Sequence, residues 1–139
     1  LEKATEVGVS EIVPVISSRS EKKSLNMDRC LAILKEAAEQ SGRALIPRLH
    51  NVVSFERALA LADASGQKTY FASEVERENM IRGVGDRAMN LFIGPEGGWD
   101  EKERFAAERR PNFEIISLGR LALRSETATI VAAYTLLWG

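Results

Sequence analysis

Two hydrophobic periods take turns along this chain. Short apolar, β-branched runs predict strands at residues 11–16 (EIVPVI), 47–53, 68–72 (KTYFA), 90–93 (NLFI) and 113–118 (FEIISL). Pro14 interrupts the first run. A proline cannot donate to a ladder, so an edge or a bulge is expected there. Elsewhere the period lengthens to that of a helix. Residues 1–7 read as helical, and Gly8 suits the left-handed position that ends a helix. A polar loop over 17–26 follows the first strand. Met27, Leu31, Leu34, Ala38 and Ser41 then fall at helical spacing, with Asn26 or Asp28 as cap and Gly42 as stop. Ser54 caps a short helix over 55–62, and the solvated stretch 74–81 also reads as helix. Asp100 with Glu103 forms a capping-box pattern ahead of a helix to Arg109. Ser125 is the expected cap of a last helix ending at Trp138.

Strands alternating with helices predict an α/β fold, with a mostly parallel sheet covered on both faces. The last helix is unusual. From Thr127 to Trp138 it carries apolar or small residues on nearly every face, and such a helix is buried all round. In a domain this small the outer side needs a partner. A homodimer interface through this helix is therefore expected, with a central core helix as the alternative.

Composition narrows the classes. The 139 residues suit one domain. Nineteen basic and twenty acidic residues leave a net charge of −1, so any nucleic-acid surface must be a local patch. The one cysteine, Cys30, excludes a disulfide framework and a multi-thiolate zinc site, and is expected to be a small buried residue. The one histidine, His50, builds no metal site alone, so no metal is expected. No apolar run approaches the roughly 18 residues of a membrane span. No signal peptide is visible, which makes the reducing cytoplasm the default and membrane association unexpected. The chain opens on LEKATEVG, which reads as the tail of a helix and suggests a piece of a longer protein.

Two strand ends are candidates for chemistry. Gly94-Pro95-Glu96-Gly97-Gly98 follows the strand at 90–93 and precedes a helix. Glycines let backbone approach a ligand closely, and ligands of open α/β sheets bind at the carboxyl ends of strands. A plain strand-to-helix turn is the competing possibility. The spacing is neither that of a P-loop nor that of a Rossmann fingerprint. The second strand end, Leu118-Gly119-Arg120-Leu121-Ala122-Leu123-Arg124-Ser125-Glu126, brackets a helix start with an arginine and a glutamate. Glu126 suits the helix dipole there; Arg124 has no comparable structural role.

Together these segments resemble the RsmE family of the SPOUT methyltransferases. The carrying motifs are FIGPEGG (92–98), then LG (118–119), LR (123–124) and ETA (126–128). KATEVGV (3–9), SSRS (17–20) and EAAEQSGR (36–43) match as well. Family members methylate N3 of a uridine in 16S small-subunit ribosomal RNA with S-adenosylmethionine, and fold their C-terminal half into a trefoil knot. The resemblance implies one SPOUT domain over residues 1–139, with the family's N-terminal PUA-like domain and first strand absent. It implies a cofactor cradle of Ala72, Ser73, Ile93, Gly94, Pro95, Glu96, Gly97, Gly98, Leu118, Gly119 and Leu123. Glu96 or Glu126 is a candidate neighbour of the cofactor's sulfonium. Arg124 is the expected stabiliser of negative charge on the uracil ring as the N3 proton leaves. Glu126 is expected to orient it. Arg19, Gln40 and Arg43, inside family motifs, are the expected RNA contacts. They lie in a stretch (19–48) with seven basic and four acidic residues.

Three departures stand out: Asp100 where Ser or Thr is common, Ser125 for a threonine, and Arg120-Leu121 in an uncertain loop register. The competing readings are another SPOUT enzyme with a different RNA target, a non-catalytic dimeric RNA-binding module, and an unrelated flavodoxin-like nucleotide binder. The ETA motif argues against the tRNA ribose-methylating branch.

Overall fold

The computed structural model describes residues 1–85 and 88–139. Every strand pair in it is parallel. β1 (Glu11–Ile12) pairs with β3 (Arg48–Leu49), and β2 (Val15–Ile16) with β4 (Val53–Ser54). β5 (Lys68–Ala72) lies between β6 (Met89–Phe92) and β7 (Phe113–Ile116). The helices are α1 (Glu2–Val7), α2 (Met27–Gln40), α3 (Phe55–Ser65), α4 (Glu101–Glu108) and α5 (Ser125–Trp138). The expected α/β class with parallel pairing is what the chain adopts.

The expected strands at 11–16 and 47–53 are each divided. Pro14 has no N–H to give, so the ladder lapses beside it and resumes at Val15. Its carbonyl still accepts the Val53 N–H at 3.0 Å, which keeps the two short pairs in register.

The stretch 74–81 is not a helix. The Glu76 carboxylate accepts the N–H groups of Arg77, Glu78 and Asn79 at 2.9, 2.7 and 3.0 Å. A side chain thus takes the donors that a helix would need. Asn79 Nδ2 then donates to the Ile115 carbonyl at 2.7 Å, and Met80 bridges Ser117 in parallel. The segment is a turn that meets the end of β7 through Asn79 and Met80.

The N–H bonds from Asn79, then Glu78, hold the Glu76 carboxyl below its ordinary value of 4.5. A depressed carboxyl stabilises the fold above its ordinary value, and that contribution is lost as pH falls through the lower folded one. The expected outcome is a protection factor at the Asn79 amide that is flat from neutral pH to about pH 5 and falls on further acidification. Hydrogen exchange checks it.

β5 is buried on both faces. Phe71 enters one core with Phe55, Phe92, Trp99 and Phe113, between the sheet and α3 and α4. Tyr70 and Ala72 enter another with Ile116 and Leu136 of α5. α5 buries only a stripe: Ala128, Ala132, Ala133 and Leu136. Tyr134 (57% exposed) and Trp138 (67%) face outward. On α2 the buried face is Cys30, Leu34, Ala37 and Ala38, whereas Leu31 of the expected face is exposed. Asn26 is its cap, and Gly8 ends α1 at φ +111°. Arg43 closes that end further, donating to the carbonyls of Thr5 and Val9 at 2.8 Å each.

Candidate active site

The site is built around Trp99. Its indole is 2% exposed, stacks on Phe71 with centroids 4.8 Å apart, and donates to the Ala72 carbonyl at 2.9 Å. That bond fixes the end of β5 beside the end of β6. Gly94 packs closely on this indole: a Cβ would stand 3.1 Å from the indole nitrogen, so a side chain there would have to displace the ring by a few tenths of an ångström. The loop then turns: the Gly98 N–H donates to the Pro95 carbonyl at 2.9 Å, with Gly98 at φ +71°. The Glu74 carboxylate fills the space that a Cβ on Gly98 would need. The capping box expected of Asp100 and Glu103 is present and starts α4.

The second strand end folds over the first. Ser125 does not cap α5; the cap is Arg124, whose side chain makes no capping bond. The Ser125 hydroxyl donates to the Gly94 carbonyl at 3.0 Å and so ties the two loops together. Arg77 donates to the carbonyls of Gly119 and Arg120, each at 3.2 Å, and holds that loop from outside.

Between the strand ends lies a cleft of about 150 Å³. Ala72, Ser73, Ile93, Gly94, Pro95, Glu96, Gly97, Gly98, Leu118, Gly119 and Leu123 all line it. Glu74, Leu121, Ala122, Ser125 and Ala128 line it too. Leu121, 81% exposed, stands at its rim. The donor set suits a nucleoside cofactor: apolar walls, glycine backbone, and one buried polar atom without a partner. That atom is the Ser73 hydroxyl; Ser73 is 4% exposed. A buried hydroxyl left unpaired costs free energy that a ligand's polar group recovers.

The remaining expected residues are spread out. Arg124 and Glu126 are exposed, and among the described residues no ion pair joins them. Two positions apart at a helix start, their side chains diverge. Arg19 donates to the Gly97 carbonyl at 2.9 Å and so reaches the cleft loop. Gln40 is exposed on α2, far along the chain from the cleft's loops. Arg43 is occupied at the end of α1. His50 pairs with Glu11 at 2.7 Å. Among the described residues no cluster of three or more His, Cys, Asp or Glu stands ready for a metal.

Comparison with known proteins agrees with this geometry. A family model described as an RNA methyltransferase domain matches residues 1–137, and the chain belongs to that family. Its relatives make the RsmE resemblance specific. A ribosomal RNA small subunit methyltransferase E of Mesomycoplasma hyopneumoniae is 36% identical over 137 residues, covering 94% of this chain and 59% of the relative. The protein of the same name from Rickettsia conorii is 33% identical over 136 residues, covering 93% and 54%. The chain therefore spans about half the length of the curated relatives it matches. The crystal structure of a ribosomal RNA small subunit methyltransferase E from Neisseria gonorrhoeae, bound to S-adenosyl methionine, superimposes with a TM-score of 0.83 at 32% identity, over 95% of this chain and 56% of that one.

Proposed function

We propose that residues 1–139 form the catalytic domain of an S-adenosylmethionine-dependent methyltransferase acting on N3 of a uridine in 16S small-subunit ribosomal RNA. The observation that carries it is the cleft at the ends of β5, β6 and β7, with its glycine backbone and unpaired Ser73 hydroxyl. The names of the relatives supply the RNA and the cofactor.

Ile93, Leu118 and Leu123 would wall the adenosine, and the backbone of the loop over 94–98 would approach it closely. Bound S-adenosylmethionine supplies an electrophilic methyl group. Uridine N3 becomes a nucleophile only when it loses its proton. Arg124, permanently charged and with a side chain that makes no capping bond, stabilises the anionic ring as the proton leaves. Glu126 orients the arginine once RNA brings the two together. Arg19, Gln40 and Arg43 supply RNA contacts, Arg43 while also holding the end of α1.

The loops over 94–98 and 118–124 are read as the loops of a SPOUT trefoil knot, a reading that the Ser125–Gly94 bond supports. Tyr134 and Trp138 on the outer face of α5 support a homodimer through that helix, which sedimentation of this chain tests. Among the described residues no helix is long and apolar enough to cross a membrane. A small-subunit RNA substrate supports a cytoplasmic location.

The experiment is a calorimetric titration of this chain with S-adenosylhomocysteine, beside Gly98→Val. Valine is strained at φ +71° and collides with Glu74. The expected outcome is one cofactor per chain, with binding abolished in the variant. Equal binding by both would remove the cofactor from this loop.

A further inference from the structure

A turn over residues 17–20 lies against the cleft loop. It is closed on itself: the Ser20 hydroxyl accepts the Ser17 N–H at 3.0 Å, and the Ser20 N–H donates to the Ser17 carbonyl at 3.2 Å. Glu103 fastens it. One carboxylate oxygen accepts the Ser18 N–H at 2.8 Å; the other accepts the Asp100 N–H at 3.0 Å. Glu103 is only 7% exposed. A buried carboxylate is tolerable there because each oxygen is bonded and the N-terminus of α4 favours negative charge. One side chain thus joins the turn to the helix that follows the cleft loop.

The clasp points Arg19 at that loop. Its guanidinium donates to the Gly97 carbonyl at 2.9 Å, and its Cβ lies 3.3 Å from where a side chain on Gly97 would begin. Arg19 thus packs closely against Gly97. We propose that Arg19 is a positioning residue for the cofactor: seated by Glu103, it fixes the Gly97 carbonyl and with it the backbone of the loop over 94–98. This rests on reading the cleft as the S-adenosylmethionine site, and it gives Arg19 a task beyond RNA contact.

The test compares this chain with Arg19→Ala and Arg19→Lys by amide hydrogen exchange and by titration with S-adenosylhomocysteine. Loss of a charged, part-exposed hydrogen bond should weaken cofactor binding about 3- to 10-fold in Arg19→Ala. Exchange at the Gly98 amide should quicken by a similar factor without cofactor. Lysine, with one ammonium for one carbonyl, should recover most of both. The unfolding midpoint of the cofactor-free chain should stay put, because the side chain is exposed. Unchanged exchange at Gly98 with unchanged affinity overturns the proposal; so does a general loss of protection with a lowered midpoint. If the parent chain binds no S-adenosylhomocysteine, the reading of the cleft fails, while exchange at Gly98 still decides the clasp.

Discussion

On the function proposed above, Arg124→Ala is expected to lower methyl transfer to small-subunit ribosomal RNA about 100- to 1,000-fold and to leave S-adenosylhomocysteine affinity within about twofold. The rate loss follows from chemistry. The uracil ring gains negative charge only as N3 loses its proton, so a fixed cation there acts on the transition state and little on the ground state. The spared affinity follows from structure. Arg124 is exposed, makes no capping bond, and contributes to α5 through its carbonyl, which accepts the Ala128 N–H at 2.8 Å. Alanine keeps that carbonyl. Single-turnover transfer of a labelled methyl group, with calorimetry alongside, measures both quantities. A parallel loss of rate and affinity would assign Arg124 to the cofactor pocket instead.

Trp99→Ala costs about 3–5 kcal/mol of stability, the range for removing a large buried aromatic side chain. Three losses add up. The indole leaves a cavity among Phe55, Phe71 and Phe92. The Ala72 carbonyl loses its donor inside the core. The loop over 94–98 loses the surface that Gly94 packs on. Trp99→Phe separates these effects. It keeps most of the packing and orphans the carbonyl, so a smaller cost of about 1–3 kcal/mol is expected. Denaturant midpoints of the three proteins measure the costs. A Trp99→Ala midpoint close to that of the parent chain would mean that the indole is no anchor.

Local signals account for what the sequence made legible. The strands, the cap at Asn26, the box at Asp100 and Glu103, and the glycine stop at Gly8 each depend on a few adjacent residues. The loop over 94–98 stood out for a related reason, three glycines directly after an apolar strand at a strand end, whereas the full set of cleft residues came from the resemblance to the RsmE family. The failures involve distant partners. Residues 74–81 have helix-forming composition, yet Glu76 spends its carboxylate on the turn and Asn79 reaches across to Ile115. Ser125 has the chemistry of a cap, but Gly94, 31 positions back, claims its hydroxyl. The bonds from the Arg43 guanidinium to the carbonyls of Thr5 and Val9 are of the same long-range kind, beside its expected RNA role. Pairings of this kind are set by topology, and no window of sequence contains both partners.

The two ends of the chain meet. The Trp138 indole donates to the Val7 carbonyl at 3.0 Å across 131 positions, and the Leu136 carbonyl accepts the Val84 N–H at 3.2 Å. Closing so long a loop costs chain entropy before its contacts return anything. The three-stranded sheet, whose strands lie closer in sequence, assembles under a lighter penalty. Seating the far half of α5 against α1 is therefore expected late in folding. The same contact couples opening at α1 to opening of the last turn of α5, and because Leu136 of that turn packs with Tyr70, Ala72 and Ile116, release there uncovers the sheet as well.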